Sequence, residues 1–316
     1  MYDILNVFSL NLRNRISDSN INLMDFHEIR LRVGKPMVLI KNMKEYYIGE
    51  NSIITGNCDK AFIINEKEIK ETMEYISNYS MYAFEEEIRN GFITIEGGHR
   101  VGICGRAVIE GGKIKTIKNI SFINIRIAHE VKNCSERVMK YIYEDSGRIN
   151  NSLIISPPLY GKTTFLRDII RNISDGWDGY IGQNVAVSDE RSEIAASYLG
   201  KPQNDVGKRT DVMDGMPKKY GIMMLIRTMS PKVVAVDEIG TKEDIDSISY
   251  GINCGCRFVA TIHGDSIEEI NSKPFFSALL KEGIFKRFFV INKYDENRKV
   301  EIYNELFERI GDEIIG

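Results

Sequence analysis

From residue 151 onward the chain alternates short apolar runs with amphipathic stretches, and this alternation restricts the fold more than any other feature of its 316 residues. The apolar runs lie at 152–156, 184–188, 232–236, 257–262 and 287–291. Helical spacing of apolar residues marks 162–173, 221–229 and 242–253 between them. Runs that are apolar throughout, rather than at every second position, predict strands covered on both faces. Interleaved with helices, they predict an α/β architecture with a mainly parallel sheet. In such sheets ligands bind beyond the carboxyl ends of the strands. Chemistry is therefore to be sought where these runs end.

The preceding residues follow a different grammar. "HEIRLRV", "KPMVLIKN" and "KEYYIGE" alternate as half-buried strands do, with a turn at Gly34-Lys35-Pro36. Helices are predicted over 66–79 and 82–90, the second ended by Gly91. The stretch 91–117 reads as hairpins turning at Gly97-Gly98 and Gly111-Gly112, and "FINIRIAH" as a further strand. A helix over 131–145 leads to the polar link "SGRINN". The expected organisation is an N-terminal α+β domain over 1–145 and an α/β domain over 146–316. A chain of this length is too long for one comfortable core.

Composition narrows the function classes. Lys and Arg total 42 against 45 Asp and Glu, a formal net charge of −3. That balance supplies no general attraction to nucleic acid or to a membrane surface. The five cysteines, Cys58, Cys104, Cys134, Cys254 and Cys256, are odd in number and lack the spacing of a disulfide framework or zinc site. No apolar run approaches the ~20 residues that span a bilayer, and the N-terminal stretch lacks a signal peptide's uniform apolar core. The expected location is cytoplasmic unless a partner recruits the chain to a membrane.

The first run ends in "SPPLYGKTT", residues Ser156, Pro157, Pro158, Leu159, Tyr160, Gly161, Lys162, Thr163 and Thr164. Strand, tight loop and a helix opening on Gly-Lys-Thr form the layout of a phosphate-binding loop. There, backbone N–H groups at a helix N-terminus curl around phosphates, the lysine reaches the β- and γ-phosphates, and the hydroxyl holds Mg²⁺. Ser156 stands where the motif G-x-x-x-x-G-K-[ST] has its first glycine. Alone, the segment is also compatible with an ordinary strand–turn–helix and a solvated Lys162. The run 232–236 delivers Asp237-Glu238 to its end. One carboxylate can serve the Mg²⁺ shell and its neighbour can polarise an attacking water. "NVAVSDERSE" presents Asp189-Glu190-Arg191 at another strand end, and "RFVATIHG" presents His263. Glu190 could add a second carboxylate near a γ-phosphate and His263 could sense it; a solvated loop and a structural histidine are the plainer readings. His27, His99 and His129 lack metal-ligand spacing and read as structural or surface residues.

With these segments in place the chain resembles the stage III sporulation protein AA family, relatives of the type II and type IV secretion ATPases. The matching stretches include "EIRLRVGKP" (28–36), "YAFEEEIRNGFITIEGGHRVGICGRAV" (82–108) and "VSDERSEIAASYLGKPQNDVGKRTDV" (187–212), then "GIMMLIRTMSPKVVAVDEIGTKED" (221–244) and "TIHG" (261–264). The resemblance implies a RecA-like P-loop NTPase domain at 146–316 in a homo-oligomeric, hexameric ring. It implies ATP and Mg²⁺ as cofactors and membrane proteins of the stage III sporulation channel as partners, in the mother cell of an endospore-forming bacterium. Carried over by position, Lys162 and Thr163 are the Walker A pair and Asp237 and Glu238 the Walker B pair. Glu190 is the acidic-box carboxylate and His263 the histidine of the histidine box. The family's loop typically reads Gly-Pro-Pro-Gly-x-Gly-Lys-Thr, so Ser156 and Leu159 replace two glycines here.

Three functions compete on this sequence. The expected one is an ATP-hydrolysing ring subunit that powers or assembles a secretion-like channel. The alternative is a structural ring subunit with a degenerate loop. A nucleic-acid motor is disfavoured by the near-neutral charge and by the lack of a basic, aromatic strand-tracking segment. An arginine acting across a ring interface is expected at Arg100 or Arg106, with Arg209 behind them.

Overall fold

The computed structural model describes residues 4–315 except 274, 275, 278, 279, 281, 282, 295 and 296. The chain divides into two compact units, Met1–His129 and Glu130–Gly316.

The first unit carries α1 (Leu10–Asp18), α2 (Glu66–Ile76) and α3 (Glu85–Arg89), with strands β1 (Glu28–Arg32), β2 (Val38–Lys41), β3 (Lys44–Ile48), β4 (Ile54–Thr55), β5 (Phe92–Thr94), β6 (Arg100–Glu110) and β7 (Lys113–Arg126). They form one antiparallel sheet in the order β4-β3-β2-β1-β7-β6-β5. Asn65 starts α2 with a capping box: its side chain accepts the N–H groups of Lys67 and Glu68, and Glu68 returns a carboxylate to the Asn65 N–H. The turn joining β6 and β7 uses Gly111 and Gly112 at φ 58° and 76°, as a two-residue hairpin requires. "KIKTI" and "FINIRIAH", read separately in the sequence, join in β7 as one strand. Its partner β6 absorbs the irregularity at Gly105, where a Cβ would lie 2.6 Å from the Lys118 carbonyl oxygen. Burial lowers the pKa of His99 to about 4, and its Nδ1 accepts the Ala128 N–H at 3.0 Å.

The second unit holds α4 (Met139–Ile142), β8 (Ser152–Ser156), α5 (Lys162–Asp175), the small hairpin β9 (Gly176–Trp177) and β10 (Tyr180–Ile181), β11 (Val185–Asp189), β12 (Thr210–Asp214), α6 (Lys218–Met229), β13 (Val233–Val236), α7 (Lys242–Asn253), β14 (Arg257–His263), α8 (Ile267–Ser272), β15 (Arg287–Tyr294), β16 (Asn297–Tyr303) and β17 (Arg309–Ile315). The large sheet runs β12-β11-β13-β14-β8-β15-β16-β17. It is parallel from β12 to β15 and closes with an antiparallel meander. Alternate residues of the apolar runs pack on opposite faces, which is why the runs are apolar throughout. Ile154, Val187, Ala235 and Val259 face α5 residues Phe165, Leu166 and Ile169. Leu153, Ile155, Val234 and Ala260 face Ile222 of α6 and Ile248 of α7.

Residues 131–145, read in the sequence as a helix before the link, form only a 3₁₀ turn and the short α4, and they pack with the second unit. Val138, Met139 and Ile142 enter the core beside Ile154 and Phe165. Asp168 of α5 fixes the segment by accepting the N–H groups of Asn133 and Ser135 and the Ser135 hydroxyl. Burial works to raise the Asp168 pKa, but these donors and Arg171 outweigh it and hold the carboxyl below its ordinary value. Among the described residues no helix is long and apolar enough to cross a membrane.

Candidate nucleotide site

The site lies at the carboxyl edge of the parallel strands. β8 ends at Ser156, fully buried, with its Oγ donating to the Pro157 carbonyl oxygen at 3.0 Å. Pro157 and Pro158 carry no N–H, so the loop's donors begin at Leu159. Leu159 is 99% exposed and adopts φ 69°, a left-handed conformation that favours glycine. Ser156 shows no such conformation. The two departures from the family's loop are therefore unequal: only the second falls where glycine's freedom is used. Tyr160 packs against the core below. Gly161, at φ 84°, is the N-cap of α5. A Cβ there would lie 3.2 Å from the guanidinium carbon of Arg298, which β16 brings against the loop. Arg298 carried no motif in the sequence and is visible only once the closing meander is in place.

Lys162, Thr163 and Thr164 open α5, where the first-turn N–H groups have no acceptor within the helix. The Lys162 side chain is 8% exposed, with Nζ 3.5 Å from Asp237 Oδ1. Thr163 Oγ1 donates to Asp237 Oδ2 at 2.6 Å. Thr261, fully buried within β14, donates its hydroxyl to Asp237 Oδ1 and accepts the Glu238 N–H at 2.8 Å. Sequence reasoning missed Thr261, yet a signal was there: one hydroxyl in the otherwise apolar "FVATI" of a strand covered on both faces.

Glu238 follows with φ 57°, a strained value for a side chain of its size. Its Oε2 meets Arg191 Nη1 at 2.8 Å and its Oε1 meets His263 Nε2 at 3.3 Å. His263 Nδ1 is buried and has no hydrogen-bond partner among the described residues. The structure thus brings Lys162, Thr163, Asp237, Glu238 and His263 together. Glu190 instead pairs with Lys218 of α6 at 2.9 Å, and among the described residues no hydrogen bond or ion pair joins it to Asp237 or Glu238. Its neighbour Asp189 turns inward, accepting the N–H groups of Glu193, Ile194 and Ala195. Burial, only partly offset by those donors, pushes the Asp189 pKa up to about 6.

The three arginines expected to act across an interface fall in different units. Arg100 lies 3.7 Å from the centre of the Phe92 ring and Arg106 is exposed, both on β6. Arg209 precedes β12 at the opposite, amino edge of the large sheet, with Nη1 donating to the Ser174 carbonyl oxygen at 2.9 Å.

The residues present fit ATP and Mg²⁺. Gly161 leaves room where a Cβ would crowd the loop, the first-turn N–H groups of α5 have no acceptor within the helix, and Lys162 supplies a buried cation. The Thr163 hydroxyl and Asp237 carboxylate are the hard oxygen donors Mg²⁺ prefers. Among the described residues no group of three or more His, Cys, Asp and Glu could hold a metal. That sparse set agrees with an ion bound mainly through substrate phosphates and water.

Known proteins resemble the chain in sequence and in fold. Stage III sporulation protein AA of Bacillus subtilis (strain 168) is 37% identical over 294 residues, 93% of this chain and 91% of that protein. The Yersinia pseudotuberculosis ATPase DotB superposes with a TM-score of 0.59 at 14% identity, covering 96% of this chain and 81% of its own. The pilus retraction motor PilT, solved with bound ADP, gives 0.58 at 14% identity, covering 96% and 82%. These two show the fold, an ATPase-like α/β architecture. The family described as sporulation stage III, protein AA matches residues 1–310, and the chain belongs to it.

Proposed function

We propose that the chain binds ATP with Mg²⁺ and hydrolyses it as a subunit of a homo-oligomeric ring, hexameric in its assembled form. The ring powers or assembles a secretion-like channel during endospore formation, in the mother-cell cytoplasm and against membrane proteins of that channel. One observation carries the reading: Lys162, Thr163 and Thr261 converge on the two oxygens of Asp237 at the carboxyl edge of a parallel sheet. Isolated strand ends do not build such a buried constellation of cation, carboxylate and two hydroxyls.

Bound Mg²⁺ supplies charge neutralisation on the phosphates and a fixed template for them. Lys162 and the first-turn N–H groups of α5 bind the phosphate oxygens. Thr163 would hold the metal with its hydroxyl, and Asp237, hydrogen-bonded to that hydroxyl, would fix its orientation and add carboxylate charge beside the ion. Glu238 orients the attacking water and takes its proton on Oε2 once Arg191 has moved off that oxygen. His263, on the same carboxylate, limits where Glu238 can swing. Glu190 acts from beyond the Lys218 pair as a second acidic group.

A structural ring subunit remains the second reading, favoured by the left-handed Leu159 and by the capture of Glu238 by Arg191. Calorimetric titration with ATP, with and without Mg²⁺, paired with a phosphate-release assay, separates the two. Mg²⁺-dependent binding lost in Lys162→Ala, with turnover lost in Glu238→Gln, is the expected result. Binding without turnover in the assembled ring leaves the structural reading, and no binding at all removes both cofactors.

A further inference from the structure

The amino edge of the large sheet, opposite the phosphate loop, carries a concavity of about 980 Å³. Its charged lining has one sign: Arg148, Arg209, Lys232 and Arg257 contribute, and no carboxylate does. Each cation stands where a parallel strand begins. Arg209 precedes β12, Lys232 precedes β13, Arg257 opens β14, and Arg148 lies in the turn leading to β8. The shared strand direction that gathers Lys162, Asp237 and His263 at one edge gathers these four at the other.

Their backbones are fixed by the sheet. The Val185 N–H donates to the Arg209 carbonyl oxygen at 2.9 Å, the Lys232 N–H to Asn184 at 3.0 Å, and the Arg257 N–H to Lys232 at 2.8 Å. Gln183 ties the Arg148 turn by donating to the Gly147 carbonyl oxygen at 3.1 Å. No ion pair among the described residues uses Arg148, Lys232 or Arg257. Like charges held together in a cleft on a rigid frame focus a positive potential and attract anions.

Two observations select the kind of anion. Ile181, 84% exposed on the β9–β10 hairpin, adds an apolar surface to the lining. Tyr180 is the one aromatic residue of the lining, and it is stacked on Tyr143 with ring centroids 4.4 Å apart. A stacking platform of the kind that holds single-stranded nucleic acid is therefore missing from the lining, whereas carboxylates flanked by an apolar side chain match both the cations and Ile181. Arginines suit this task because the guanidinium pairs with a carboxylate through two parallel hydrogen bonds.

We propose that this concavity docks an acidic peptide segment of a partner protein, its carboxylates on the four cations and an apolar side chain against Ile181. The inference is independent of nucleotide chemistry. The test uses the full chain and a short fluorescein-labelled peptide of Glu, Asp and Leu, read by anisotropy. Binding is expected at low salt and is expected to weaken as salt rises. Lys232→Glu with Arg257→Glu should weaken it by about tenfold or more, while a Lys- and Leu-containing peptide gains affinity for the variant. An unchanged melting curve and unchanged ATP titration confirm that the variant folds. The proposal is overturned if the natural chain ignores the acidic peptide, or if the variant binds it equally well. It is also overturned if a thymidine oligonucleotide or vesicles of anionic phospholipid outcompete the peptide through these cations. Loss of self-association in the variant, seen by sedimentation, would identify a second copy as the occupant and overturn it too.

Discussion

The Thr163 hydroxyl donates to Asp237 at 2.6 Å across 74 residues of chain. On the proposed reading the bond would leave the hydroxyl oxygen open to a metal, with the carboxylate as its outer partner. Removing an outer partner of a metal ligand typically lowers metal affinity by about ten- to hundredfold. Asp237→Asn is expected to do so for Mg²⁺-dependent ATP binding, while binding in the presence of a chelator changes little. Calorimetry under both conditions checks it; equal losses with and without Mg²⁺ would place Asp237 outside the metal shell.

Leu159 holds a left-handed backbone, φ 69°, which strains a leucine and not a glycine. Leu159→Gly should therefore raise the unfolding free energy by about 1 kcal/mol and leave ATP affinity within roughly threefold. Ser156→Gly, at a residue without positive φ, should gain nothing. Denaturant titrations of both variants decide. A large affinity gain in Leu159→Gly would mean that the loop rearranges on binding.

Glu238 is the residue on which turnover should depend. Glu238→Gln keeps the volume and removes the base, and a fall in turnover of about a hundredfold or more is expected with nucleotide affinity preserved. Arg191→Ala frees Oε2 from its ion pair and should raise basal turnover of the assembled ring by about two- to tenfold. A drop in turnover in Arg191→Ala would instead give the arginine a direct part in the reaction.

Asp189 predicts a pH dependence of stability. Its folded pKa of about 6 lies above the unfolded value near 4. Below about pH 4 both states are protonated. Between about 4 and 6 only the unfolded chain ionises, so this group lowers stability as pH rises; above about 6 the loss is constant. Asp189→Asn should remove that segment of the stability–pH curve. Carboxyl NMR should find the Asp189 midpoint near 6, and a midpoint at or below 4 would contradict the account.

Asp168 is 2% exposed and serves Asn133, Ser135 and Arg171. Asp168→Ala strands those donors beside the half-buried Arg171 and should cost about 2–4 kcal/mol, measured by chemical unfolding. Destabilisation below about 1 kcal/mol would show that water replaces the carboxylate.

The apolar runs made the parallel sheet legible because strands buried on both faces cannot afford polar positions. β12 was not legible: "TDVMD" lies at the sheet edge, where one side is unpaired and polar residues are tolerated. Nor were β16 and β17, whose half-buried alternation resembles many surface segments. At the site, Lys162, Thr163, Asp237 and Glu238 stood out because motif spacing encodes their chemistry. Arg191, Thr261 and Arg298 did not, because their roles depend on which strands become neighbours. The Glu190–Lys218 pair was hidden for the same reason, since α6 comes nearly thirty residues later.

β8 is first of the parallel strands in the chain but lies between β14 and β15, and Asn151 at its start bonds the Phe258 N–H across 107 residues. A ribosome adds about 5–20 residues per second, so the phosphate loop leaves the exit tunnel on the order of five to twenty seconds before its flanking strand exists. During that interval the loop has no Asp237 or Thr261 to complete it. Nucleotide therefore cannot template the early steps of biogenesis, and the nascent "SLIIS" segment is left as a bare apolar strand. Its protection in the cell falls to chaperones or to transient packing against nearby segments, Val138, Met139 and Ile142 before it and α5 just after it.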